Sequence, residues 1–95
     1  LIDASVAESV TQQLRQSAQR FVEDTAARLT ALGYRATSVV RTEAPGAAIL
    51  KQAEAANPDL ILMGSRGLEG VSRFLLGSVS HAVLNRAPCP VLIFR

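Results

Sequence analysis

The sequence is short of the residues that most metal centres, disulfide scaffolds and nucleic-acid interfaces require. It holds one cysteine, Cys89, one histidine, His81, one methionine and no tryptophan. A single thiol cannot close an internal disulfide, which fits a reducing compartment and gives the expectation of a cytoplasmic protein. His81 has no Cys, Asp or Glu at ligand spacing, so no metal ligands are nominated, and it reads as a surface or packing residue. Lysine occurs once, at Lys51, aromatics make up 4% of the chain, and the formal net charge is +2. With its arginines scattered rather than clustered, the chain lacks the basic patch of a nucleic-acid binder. No apolar run approaches the length of a bilayer span, and no basic-then-apolar leader opens the sequence. No Ser/His/Asp arrangement or paired-carboxylate motif is visible, so no catalytic residue is nominated.

What is present is a chain of 95 residues with 48% hydrophobic content, too rich for disorder and enough for one small domain with a modest core. From about Ser5 to Leu32 the apolar residues Val6, Val10, Leu14, Ala18, Phe21 (with Val22), Ala26 and Leu29 recur every three or four positions. Gln12, Gln13, Arg15, Gln16, Gln19 and Arg20 fill the other face, which predicts a long amphipathic helix stopped at Gly33. A coiled coil is the rival reading, but clean heptads are missing. Ala36–Arg41, with Thr37, Val39 and Val40, suits a short strand. Pro45 can open a second helix whose apolar side runs from Ala47 to Ala56, and Asn57-Pro58-Asp59 breaks it. Leu60–Met63 reads as a strand buried on both faces, Val71–Leu76 as a helical turn, Ser78–Arg86 as a helix and Val91–Phe94 as the last strand. Alternating helices and strands mean parallel β/α units.

The chemistry is concentrated in Leu60-Ile61-Leu62-Met63-Gly64-Ser65-Arg66-Gly67 and its continuation to Gly77-Ser78. An apolar strand stops at a glycine, a glycine-punctuated segment follows, and a helix begins. Glycines let backbone N–H groups approach an anion, and a helix start supplies unpaired N–H donors with partial positive charge. The pattern is not a P-loop, since no Gly-Lys-Ser/Thr occurs. Nor is it the dinucleotide fingerprint, because Gly64, Gly67 and Gly70 follow GxxGxxG spacing. Gly64 and Gly67 carry two readings, close approach to a ligand or a tight turn, and the company of Gly77 and Ser78 favours the first. Ser78 can also serve as an ordinary helix cap. Arg66 has a guanidinium fork suited to phosphate oxygens, or is a solvated loop residue; Arg73 reads as solvated. Ser65 and Gly70 read as turn support and loop flexibility. Glu69 is placed where it could steer a water, though a lone loop glutamate is usually solvated. Cys89, between Pro88 and Pro90, reads as a turn residue with no activating neighbour.

The words Asp59–Gly67, Leu76–Ser80 and Ala87-Pro88-Cys89-Pro90-Val91-Leu92 closely resemble the nucleotide-binding signature of the universal stress protein family, G-2x-G-9x-G-S. The likeness is strong from Asp59 to Arg95 and weaker before Pro58. The resemblance implies an α/β, parallel-sheet, Rossmann-like three-layer α/β/α fold of the adenine nucleotide alpha hydrolase-like kind. It implies an ATP-binding regulatory protein of the stress response, with Mg²⁺ or Mn²⁺ bridging phosphates. Gly64, Arg66, Gly67, Gly77, Ser78, Val79 and Ser80 would make the phosphate cradle, Ser78 with its side chain and Val79 and Ser80 through their backbone. Turnover of ATP, if any, would be slow. A homodimer through the last strand, Val91–Phe94, is also implied.

The family domain has five parallel strands ordered 3-2-1-4-5, and residues 1–95 match only its later part. The expectation is therefore a partial domain, preceded by a β-α-β segment that carries the adenine and ribose contacts. Asp3 precedes a helix rather than following a strand, so it takes no part in that expectation. Two other readings compete. One is a dimerisation or interaction module whose glycine loop binds nothing. The other is an enzyme of the wider adenine-nucleotide α-hydrolase group, for which no acceptor-substrate site is evident. A receiver domain is disfavoured, because the acidic cluster and strand-terminal phosphoacceptor aspartate it needs are missing.

Overall fold

The computed structural model describes residues 3–64 and 77–94. The chain divides into two compact units, Leu1–Arg41 and Thr42–Arg95.

The first unit is built on one helix, α1, Ala4–Ala31. Asp3 is its N-cap: one carboxylate oxygen accepts from the Val6 backbone N–H at 2.9 Å and from the Ser5 hydroxyl at 2.9 Å. Along the helix Gln19 donates to Glu23 at 2.7 Å, four residues on, and the Thr25 hydroxyl donates to the Phe21 carbonyl at 2.9 Å. The C-terminus closes as the glycine predicts. Gly33 has φ of 96°, its N–H donates to Thr30 O at 3.0 Å, and the Tyr34 N–H donates to Leu29 O at 3.1 Å. This pair of backward bonds is a Schellman motif, which a left-handed glycine permits without a Cβ clash. No residue of α1 is buried. Its stripe of Val6, Val10, Leu14, Phe21 and Leu29 is exposed.

The expected strand at Ala36–Arg41 does not form: the backbone there adopts neither helix nor strand. Val39 and Val40 have the right intrinsic preference. A strand, however, exists only where a neighbour accepts its ladder of hydrogen bonds, and no such neighbour lies among the described residues of the first unit.

The second unit holds α2, Pro45–Ala56, then β1, Ile61–Gly64, then α3, Ser78–Arg86, and β2, Val91–Phe94. Pro45 occupies the first turn of α2, where its missing N–H costs nothing. Asn57 ends that helix in the left-handed conformation (φ 49°), its N–H bonded to Ala53 O at 2.8 Å, and Pro58 follows. α3 ends at Ala87, whose extended backbone (ψ 139°) is what a residue before proline prefers. β1 and β2 pair in parallel, Ile61 opposite Val91 through to Gly64 opposite Phe94. The Ile61 N–H extends the ladder to Pro90 O at 3.0 Å.

The core of this unit lies where α2, α3 and the sheet meet. α2 packs against α3, and α3 against β2. Ala53 of α2 and Ser80 and Val83 of α3 are the buried residues of these helices. The helices cross closely: a Cβ on Gly46 would lie 3.4 Å from that of Ala82. The sheet is half-buried on the face of Ile61, Met63, Val91 and Ile93. On its other face Leu62 is 60% exposed, Leu92 54% and Phe94 53%. A strand buried on both faces was expected here. The difference arises because, among the described residues, the helices of this unit cover a single face of the sheet, and the period-2 alternation of a strand sends every other side chain away from them.

Candidate functional site

The second unit supplies both ends of the glycine-rich stretch. Gly64 is the last residue of β1, at the carboxyl edge of the parallel pair, where open α/β sheets bind ligands. Gly77 is the N-cap of α3, in an extended conformation with φ of −68° and ψ of 160°. Arg66 and Gly67, like Ser65, Glu69, Gly70, Arg73 and the expected helical turn at Val71–Leu76, lie outside the described residues.

The start of α3 differs from expectation in one detail. The cap is Gly77 rather than Ser78, which is the first residue within the helix. Among the described residues no side chain caps the helix N-terminus. The first intrahelical bond runs from the His81 N–H to Gly77 O at 3.1 Å. The N–H groups of Ser78, Val79 and Ser80 precede it and have no acceptor within the helix, as geometry demands of any first turn. No acidic residue stands in that turn to compete for them. Three amide donors at the positive end of the helix dipole make a surface that favours an anion.

The three side chains point in different directions. Ser78 is exposed and Val79 half-buried, while Ser80 is only 2% exposed. Ser80 and Val83 are one helical turn apart and share the packed face. The Ser80 side chain is therefore part of the core, and what this residue can offer a ligand is its backbone. The family resemblance implies a role for Val79 and Ser80 through their main chain, at the first turn of α3.

His81 is exposed on α3, and Cys89 is a free, half-buried thiol in the turn before β2. Among the described residues no group of three or more His, Cys, Asp or Glu side chains comes together as a metal site. Also among them, no helix is long and apolar enough to cross a membrane. A perturbed carboxyl lies on the first unit: the Val6 N–H and then the Ser5 hydroxyl hold Asp3 below its ordinary value. Asp3 has no capping role in the sequence-based expectation. The signal that could have found it is its position just before the first turn of a strongly periodic helix.

Comparison with known proteins shows the family to which this fold belongs. The model of the universal stress protein family matches residues 2–95. The chain is 31% identical over 88 residues to universal stress protein YxiE of Bacillus subtilis, an alignment that covers 93% of this chain and 60% of that protein. It is 51% identical over 51 residues to the universal stress protein in the QAH/OAS sulfhydrylase 3'region of Thermus aquaticus, covering 54% of this chain and 37% of the relative. The chain thus spans less than two thirds of the length of these relatives. The parallel β1–α3–β2 arrangement is consistent with the Rossmann-like α/β fold that the family implies. With a family match over nearly its whole length, the chain belongs to the universal stress protein family.

Proposed function

We propose that the protein binds ATP, or a related adenine nucleotide, and acts as a regulatory protein whose partners respond to the bound state. The observation that carries this reading is the pairing of two features at one end of the second unit. β1 terminates in Gly64, and α3 begins at a glycine cap with Ser78, Val79 and Ser80 presenting amides that have no acceptor within the helix. Polyphosphate oxygens are strong acceptors and carry the charge that a helix N-terminus favours. The hydroxyl of exposed Ser78 can add one donor. Gly67 and the guanidinium of Arg66 complete the cradle in this reading. Mg²⁺ or Mn²⁺ would ride on the phosphate oxygens rather than in a cage of protein ligands. With no general base nominated, the role is binding, and hydrolysis would be slow. Cytoplasmic location is part of the same proposal.

Calorimetric titration of the full-length protein with ATP tests it. Saturable binding is expected, and its loss in Gly77→Asp with the fold intact by circular dichroism, because a carboxylate would then occupy the anion's place at the helix start. No heat of binding at millimolar ATP would overturn the reading.

A second reading, an interaction module that needs no nucleotide, is favoured by a separate observation. β2 is hydrogen-bonded to β1 on one side, and it exposes Leu92 and Phe94. A short apolar strand at a sheet edge invites pairing with a second copy, so a homodimer through Val91–Phe94 is proposed. A dimer that persists without nucleotide and survives Gly77→Asp would favour this role over the first.

A further inference from the structure

We draw no further inference here: the strongest candidate, the outward apolar face of the β1–β2 sheet formed by Leu62, Leu92 and Phe94, carries nothing because nothing in the structure shows what covers it.

Discussion

Val83 has no exposed surface, and it sits on α3 one turn beyond Ser80. Removing two methyl groups there forfeits their transfer energy and leaves a void between α3 and its neighbours. Val83→Ala is expected to cost about 2 kcal/mol, measured by urea denaturation. Gly46 separates a tolerated change from a damaging one. An added Cβ meets Ala82 at 3.4 Å, so Gly46→Ala is expected to leave stability within about 1 kcal/mol of the parent, helped by alanine's helix propensity. Gly46→Leu has no room at that crossing and is expected to cost about 1–3 kcal/mol by forcing α2 from α3. The same denaturation series distinguishes the two. Asp3 offers a pH test whose sign is fixed by its partners. Its folded pKa is lowered, first by the Val6 N–H and then by the Ser5 hydroxyl. The cap's contribution is therefore complete above the unfolded carboxyl value of about 3.9 and is lost as pH falls through the lower folded value. The protection factor of the Val6 amide, its NMR exchange rate relative to the intrinsic rate at each pH, should fall on acidification through that window. In Asp3→Asn, whose amide oxygen caps without titrating, it should not.

The helices were readable because their signals are local. A 3.6-residue apolar period marked α1, a proline and an Asn-Pro pair bracketed α2, and Gly33 stopped α1 by a conformation that glycine adopts freely. The last strand was readable for a similar reason, as an apolar run between a Pro-Cys-Pro turn and the chain's final residue. The strand expected at Ala36–Arg41 shows the limit of such signals. Its composition suits a strand, yet a strand is a relation between two segments, and the partner is not written in the six residues themselves. β2 carries the prediction at this level. If its free edge joins two copies, Leu92→Lys with Phe94→Lys should convert the dimer to monomer in light scattering, since paired positive charges blunt edge-to-edge association. Unchanged mass would exclude this strand as the contact.

For the molecule as a whole, most of the family assignment came from a few words of sequence, Asp59–Gly67 and Leu76–Ser80, and the family match over residues 2–95 agrees with it. Those words encode backbone behaviour, a strand end, permissive glycines and a helix start, so they can be read without coordinates. Gly64 and Gly77 take the positions that such a reading requires, as the last residue of β1 and the cap of α3. Other properties needed the folded chain. The parallel register of β1 with β2, the burial of Ser80 rather than Ser78, and the close approach of Gly46 to Ala82 each depend on segments distant in sequence. Chain order and local periodicity sufficed to place the helices and both observed strands, and the resemblance of the glycine-rich words pointed to the family. Partner strand, buried face and cap residue were decided only in three dimensions, because hydrogen-bond ladders and excluded volume act between residues that the chain keeps far apart.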